Sequence, residues 1–517
     1  MIILYHDGIQ TIDFENTETN TVVSCSERNI QKCLYSLSIE FKDTLLIWCH
    51  YRLKDSINKA ELPIIFHHQL ILASYNLSEN HIISKEIGFI DQHCFINVKK
   101  EVSYPTWLMS SNIGGVNANV LLKFKELIEF RQSFDEFLCS LAKLNMSKGL
   151  LCYSEPNLLI QVPKELSFEI KNEKSVLFKF VKKHYKIQWV FILLLNYALY
   201  NKQFPFIAFI KSLFVKKNKI SSVDFSDLQV KSIKENITKE SFKVDVLIPT
   251  LGRKEHLYNV LKDLSQQTIL PKKVIIVEQN AVEGTTSELS YLKDLWPFEI
   301  DHNFTHQLGA CNARNIALSK VTGNWVFFAD DDVRFDRLLL EKSYNKINKY
   351  GTDCTVLGCL QKGEKHESVE TIQSGHFGSG TSIVKAGILH NLQFKKEHEF
   401  GFGEDSDFGM QLRNMGIDIL STPEISMLHL KAPIGGFRYQ FKNDWSQDVI
   451  QPKPSPTVMA YQLKHLTKEQ FFGYKTLLFI KFYKKQKIKN PILYLKKMNL
   501  RWSKSIYLAN KMMSDEV

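Results

Sequence analysis

The nine cysteines of this 517-residue chain form no Cys-x-x-Cys pair. Their number is odd and their spacing irregular, which argues against a zinc site or a disulfide framework and fits a reducing cytoplasm. The opening MIILYHDGIQ has no basic stretch leading into an apolar one, so no secretory leader is expected. No apolar run reaches the roughly 20 residues that a membrane-spanning helix requires. The longest, Trp189–Leu195, resumes after Asn196 and stops at Tyr200. Acidic residues are absent from 174–219, a stretch dense in lysine, yet no nucleic-acid-binding motif accompanies those cations, and no nucleic-acid partner is expected. What is left is a composition of 44% hydrophobic and 23% charged residues, that of a soluble globular protein and not of a disordered chain. The length calls for two or three domains. Heavy use of Ile, Lys and Asn points to an AT-rich bacterial genome.

Four regions follow from the pattern. Residues 1–165 mix strand-like runs (LLIWCH, PIIFHHQLILAS) with helical spacing (NANVLLKFKELIEF) and read as an N-terminal α/β domain. Residues 166–240 read as a basic helical connector, 241–440 as alternating strands and helices, and 441–517 as a basic helical extension. The third region is the clearest. VDVLIPT (244–250) is an apolar strand entering a turn at Leu251-Gly252, and Leu257, Val260, Leu261 and Leu264 give helical spacing over 254–267. VIIVEQN (274–280) is a second buried strand. Residues 311–323 form a helix closed by Gly323, and WVFFADDD follows as a third strand. This succession predicts an α/β fold with a mostly parallel, helix-covered sheet. Ligands bind such sheets beyond the carboxyl ends of the strands. Thr250, Glu278 and Asp330–Asp332 all fall at such ends.

Three consecutive carboxylates need compensation. Two unit charges about 4 Å apart repel by roughly 1 kcal/mol in water and about 4 kcal/mol at an effective dielectric near 20. On an extended strand alternate residues share a face, so Asp330 and Asp332 are expected to point together, with Asp331 turned away. Such a pair suits a hard divalent cation that also touches substrate phosphates. An EF-hand would need Gly at Phe335 and an oxygen ligand at Arg334, and a haloacid-dehalogenase phosphatase would need Thr or Val at Arg334; neither pattern fits. A solvated acidic turn is the remaining alternative.

VLIPTLGR (246–253), VIIVEQN, and LGACNARNIALSKVTGNWVFFADDDV (308–333), in this order, resemble the nucleotide-sugar half of inverting family 2 glycosyltransferases, which have the GT-A fold. The resemblance implies that Pro249, Thr250 and Arg253 flank the nucleotide and that Glu278 holds its base or ribose. It places Arg314 and Asn315 near the diphosphate, and counts Asp330 and Asp331 in the nucleotide site. Asp332, with Asp330, would hold Mg²⁺ or Mn²⁺.

The second half completes the site. HFGSGTSIVKAGIL (376–389) has small residues where backbone approaches a ligand, and Gly380 and Thr381 are candidate sugar contacts. In FGFGEDSDFGMQLRNMG (400–416), Glu404, Asp405 and Asp407 open an amphipathic helix whose positive end favours ionised carboxylates. The family has a Glu-Asp pair here; the resemblance implies Asp405 as general base and Glu404 as orienter, and Asp407 is a further sugar contact. In STPEISMLHLKAPIGGFR (421–438), His429 is a candidate metal ligand, and Lys431 and Arg438, around Gly435-Gly436, could close over the diphosphate.

Two further patterns stand outside this site. ERNIQKCLYSLSIEFKDTLLIWCH (27–50), MSSNIGGVNANVLLKF (109–124) and LAKLNMSKGLLCYSEPNLL (141–159) echo, in order, the Arg314 helix with its carboxylate strand, the 378–394 segment and the 410–428 segment. They suggest a degenerate repeat with Trp48-Cys49-His50 in place of the carboxylates and no obvious opening strand. The lysines of 174–219 and 475–511 interleave with Phe, Tyr and Trp, as in helices that lie on membrane surfaces. The expectation is a cytoplasmic glycosyltransferase, peripheral on the inner face of the plasma membrane, with a UDP-sugar donor and a glycan or lipid-linked acceptor in surface polysaccharide synthesis. A non-catalytic binding scaffold of the same fold and a sugar nucleotidyltransferase are the alternatives.

Overall fold

The computed structural model of the chain describes residues 1–125, 132–161, 168, 170, 173–217, 223–234, 236–365, 369–432 and 445–514. It divides into two compact units. One comprises Met1–Lys234, Asn414–Ile417 and Leu466–Leu478; the other comprises Glu235–Arg413, Asp418–His465 and Phe479–Val517. The expected connector is thus no separate body. Helices Lys174–His184, Gln188–Asn196 and Phe206–Leu213 bury Phe178, Leu193 and Phe209 in the core of the first unit. The C-terminal extension is likewise divided, with Leu466–Leu478 grouped in the first unit.

The second unit is built on strands β9 (Val244–Leu251), β10 (Lys273–Gln279), β11 (Glu299–Thr305), β12 (Trp325–Phe328), β13 (Val333–Arg334), β14 (Cys354–Leu360), β15 (Ile372–Gln373), β16 (Ser382–Lys385) and β17 (Leu420–His429). Their order is β11-β10-β9-β12-β16-β14-β17-β13, with β15 on β17. Val244, Val246, Val274, Ile276 and Phe327 are fully buried, as expected for strands covered on both faces. The helix Lys254–Ser265 buries Leu257, Val260, Leu261 and Leu264 on one stripe against them.

The sheet is parallel only along β11-β10-β9-β12 and between β14 and β17. β12, β14 and β16 are joined by antiparallel pairings, as are β13 and β15 to β17. β14 returns to β16 without an α-helix between them, which permits an antiparallel neighbour. The expectation of a mostly parallel sheet therefore holds for the nucleotide half alone. The helix after β11 also ends earlier than expected, at Leu318. Gly323 is not its terminator. A Cβ there would lie 2.7 Å from the Lys243 carbonyl oxygen, so a close approach of two chains requires the glycine. Asp245 carboxylate accepts the Thr322 and Gly323 N–H groups and fixes this turn into β12.

The first unit has strands β1 (Ile2–His6), β2 (Thr11–Asn16), β3 (Thr21–Ser24), β4 (Leu45–His50), β5 (Ile71–Tyr75), β6 (Tyr104–Pro105), β7 (Ile113–Asn117) and β8 (Leu151–Ser154), ordered β3-β2-β1-β4-β7-β5-β8-β6. Its pairings β1-β4, β4-β7, β7-β5, β5-β8 and β8-β6 have the same senses as β9-β12, β12-β16, β16-β14, β14-β17 and β17-β15. The opening strand that the sequence hides is β1, at the chain's first residues. Beyond it the two sheets differ. β2 and β3 form an antiparallel hairpin where β10 and β11 run parallel.

The shared register also moves one expectation. Starting from Ser154 and Ser421, each two residues before a proline, and stepping across the pairings, Trp48 falls at Phe328 and His50 at Asp330. His50, Tyr51 and Arg52, not Trp48-Cys49-His50, occupy the places of the three carboxylates.

Candidate active site

The chain leaves the sheet after Phe328 and turns at Asp331 and Asp332. Strand alternation does not govern the triplet, and Asp331 is not turned to solvent. Its carboxylate accepts Thr250 Oγ1 and Arg253 Nη1, each at 2.6 Å. Arg253 also reaches Asp332 at 3.2 Å, so one guanidinium offsets two adjacent charges. Asp332 Oδ2 accepts the Ala432 N–H at 2.9 Å, and His429 Nε2 lies 3.5 Å from its other oxygen. The antiparallel pair of Val333 with His429 brings these two side chains together.

Asp330 faces a different neighbourhood. Arg314 Nη2 stands 3.4 Å from it, and a Cβ on Gly380 would lie 2.1 Å from its Oδ2. Gly380 is therefore required by the carboxylate beside it. Recession from water pushes the Asp330 carboxyl up; Arg314 opposes this, and Asp332 and Asp405 add to it. Burial works against the charge on Arg314, but Asp330, Asp405 and Glu404 outweigh it. The Arg314 Nε is buried with no hydrogen-bond partner, and its guanidinium stacks over Phe394 at 5.5 Å.

Asp405 is the second residue of the helix Glu404–Asn414, and the Ser379 N–H donates to it at 3.1 Å. Burial, then the charge of Asp405, pushes Glu404 up. Through Arg314 these two carboxylates share one electrostatic neighbourhood with Asp330. Glu278 accepts or shares a hydrogen bond with His302 at 2.8 Å. Pro249 and Thr250 lie at the carboxyl end of β9, while Thr381 lies in the turn that leads into β16.

Two expected contacts lie elsewhere. Asn315 is clamped to the Phe394 backbone through both its amide oxygen and nitrogen, at 2.8 Å each. Its amide holds a loop and is not directed to a diphosphate. Asp407 is fully buried, two helical residues from Asp405 and so on an opposed face. It accepts His465 Nε2 at 2.6 Å and Lys464 Nζ at 2.9 Å, with His398 Nε2 3.8 Å away. It is thus not a sugar contact in this arrangement. Gly435, Gly436 and Arg438 lie outside the described residues.

Sequence reasoning misses Ser379, His302 and Glu399. Glu399 accepts the Cys311 and Asn312 N–H groups at the start of the Arg314 helix, which aims that arginine. Its place five residues before Glu404 is the one local hint. His302 has none, because it reaches Glu278 only through the pairing of β10 with β11.

Among the described residues, Glu397, His398 and Asp407 alone bring three metal-capable atoms within 4.8 Å. Lys464 lies within 2.9 and 3.6 Å of its two carboxylates, so a cation is already built in there. Asp332 and His429 are a smaller donor pair, a carboxylate and an imidazole at the strand edge. The carboxylate fits a hard cation that keeps waters and takes phosphate oxygens, and the imidazole adds a nitrogen donor that borderline divalent ions accept, with Arg253 sharing the other side of Asp332. A cavity of about 850 Å³ lies at the opposite end of β12, lined by Leu318, Trp325, Lys385 and His390. It has no acidic group among its lining residues and takes no part in this site.

Residues 245–396 match the family described as Glycosyl transferase family 2. An uncharacterized glycosyltransferase of Haemophilus influenzae is 34% identical over 89 residues, which make up 17% of this chain and 29% of that protein. The Staphylococcus aureus poly(ribitol-phosphate) beta-N-acetylglucosaminyltransferase TarS is 21% identical over 168 residues, 32% of this chain and 29% of its own. The crystal structure of S. aureus TarS 1-349 aligns over 52% of this chain and 91% of that one, at 14% identity and a TM-score of 0.34. The chain thus spans 29% of the length of each of these two curated relatives. The family match carries the Thr250, Glu278 and Asp330–Asp332 strand ends, and it stops before Glu404 and Asp405.

Proposed function

We propose that this chain is a metal-dependent inverting glycosyltransferase, moving a sugar from a UDP-sugar to a hydroxyl of a glycan or lipid-linked acceptor in surface polysaccharide synthesis. One observation carries the reading: Asp405 takes the Ser379 N–H while Asp330 lies against Gly380, the next residue, and Arg314 reaches Asp330, at the strand edge that also holds Thr250, Arg253 and Asp331. Donor-side and acceptor-side acids thereby meet in one place.

In this reading the donor lies along Thr250, Arg253 and Glu278, its diphosphate toward Arg314. Asp405 takes the proton of the acceptor hydroxyl. The freed oxygen forms a bond to the anomeric carbon as the bond to the diphosphate oxygen breaks, and the electron pair leaves with the diphosphate. Arg314 balances carboxylate charge before transfer and faces the charge that develops on the leaving group. Asp332 and His429 would hold Mg²⁺ or Mn²⁺, which when bound supplies positive charge to that leaving group. Family 2 membership of 245–396 and the name of the TarS relative support a nucleotide-sugar donor and a polymeric acceptor. The first unit, with its matching pairings, is read as a degenerate copy of the same fold. A lipid-linked acceptor would place the enzyme at the inner face of the plasma membrane.

The test is Asp405→Asn. Removing a general base costs about 10²- to 10⁴-fold, so transfer should fall by that much. Stabilisation by UDP with Mn²⁺, read as a melting-temperature shift, should stay as in the wild type. Transfer at the wild-type rate would remove Asp405 from the role.

A further inference from the structure

The helices of the first unit carry a surface that sugar transfer does not use. Gln188–Asn196 and Phe206–Leu213 pack inward through Val190, Leu193 and Phe209. Their outward faces are apolar as well. Phe191, Leu195 and Leu199 recur every four residues and are 40–52% exposed. Phe206, Ile207, Ile210 and Phe214 span an arc of about 100° at 100° per residue, with Ile207 73% and Phe214 83% exposed. The two stripes are neighbours, since the Phe209 ring meets Phe191 at 5.2 Å and Phe206 at 6.0 Å.

A helix apolar on both faces belongs in a core or against an apolar partner, and a contiguous exposed patch marks a contact site. The patch has a charged rim. Lys186, Lys202, Lys211, Lys216 and Lys217 are exposed, and the chain has no Asp or Glu between residues 174 and 217 to neutralise them locally.

We propose that this face docks on an anionic lipid surface. The Phe and Ile side chains enter the bilayer interface, and the lysines meet acidic headgroups. No helix among the described residues is long and apolar enough to cross a membrane, so the contact lies in the interface plane. A second copy of the chain fits less well, because pairing this face with itself sets lysines against lysines. An acidic polymer would match the lysines and leave the apolar stripes in water. The inference does not rest on glycosyl transfer, since none of these residues touches the candidate site.

Flotation of the full chain with lipid vesicles tests it. Most of the protein should float with phosphatidylcholine vesicles containing about 30 mol% phosphatidylglycerol, and little with phosphatidylcholine alone. Ile207→Ser/Ile210→Ser/Phe214→Ser should reduce flotation about tenfold while UDP binding and sedimentation stay unchanged. Lys211→Glu/Lys216→Glu/Lys217→Glu should erase the preference for anionic vesicles, which covers the case of a poorly folded triple serine variant. Three results would each overturn the proposal: wild-type protein that does not float with anionic vesicles, serine and lysine variants that float as well as wild type, or a wild-type dimer that the serine variant splits. Each leaves the Asp405 assignment as it was.

Discussion

Asp331 shows how one residue can be held charged at a cost. It is buried, and two donors reach it at 2.6 Å. Loss of water still pushes its carboxyl up to about 6, against Arg253 and Thr250, which pull it down. An unfolded Asp titrates near 3.9. Between about pH 4 and about pH 6 the folded chain therefore holds a proton that the unfolded chain has released. This group's contribution to stability is full at the acid end of that window and is lost as pH rises through it. Asp331→Asn cannot titrate. Its melting temperature relative to wild type should rise from about pH 4.5 to about pH 7 and then level off. A difference that is flat across this range would mean that Asp331 ionises as an ordinary carboxyl.

The helix Glu404–Asn414 is the element on which the site turns, and its two faces have separate work. Its first turn points Asp405 toward Ser379, while Asp407 anchors the other face to Lys464 and His465 on the helix Pro456–His465. Burial would raise the Asp407 carboxyl, but contacts with His398, His465 and Lys464 hold it well below the usual carboxylate range. Its stabilisation is therefore present above the unfolded value near 3.9 and is lost as pH falls through the folded one. Asp407→Asn takes the countercharge from the partly exposed Lys464 ammonium and weakens the buried contacts of the carboxylate, which costs about 1–3 kcal/mol. Scanning calorimetry near neutral pH should show a melting temperature lower by roughly 2–12 °C, and an unchanged melting temperature would mean the cluster is not an anchor. The same helix shows what the sequence does and does not make legible. β9, β10 and β12 are legible because burial on both faces leaves apolar runs, interrupted in β9 by the buried Asp245, and topology alone then gathers Thr250, Glu278 and the carboxylates on one edge. Asp407 is misread because two residues along a helix are about 200° apart, and its partners lie some 60 residues downstream. Asp331 is misread because the strand ends at Phe328, two residues before the triplet begins. β1 is overlooked because the β2-β3 hairpin follows it, and not a helix such as the one that follows β9.

Across the whole molecule the same pairing scheme occurs twice, and the two versions share a detail that pairing alone does not require. Ser111 donates its N–H to Asp135 at 2.7 Å, as Ser379 does to Asp405. Each aspartate is the second residue of its helix, Phe134–Asn145 in the first unit. A serine-to-aspartate bond at this position is therefore a feature of the fold, and chemistry must depend on what surrounds it. Asp405 is bonded to Ser379, whose neighbour Gly380 lies against Asp330, and Arg314 reaches Asp330. In the first unit the places of Asp330, Asp331 and Asp332 are taken by His50, Tyr51 and Arg52, and the Phe168 ring lies 4.8 Å from that of His50. The parallel pair β10-β11, which brings Glu278 to the edge, is replaced by the β2-β3 hairpin. The first unit thus lacks both the carboxylate edge and the parallel strand pair that carries Glu278. Isothermal titration of the full chain with UDP and Mn²⁺ should give a single site per chain. Arg253→Ala should weaken that site by about tenfold or more, in line with loss of a charged contact, and Asp135→Asn should leave both binding and transfer unchanged. Two sites would show that the first unit also binds the nucleotide, and a single site that survives Arg253→Ala and falls with Asp135→Asn would place the donor in the first unit and not in the second.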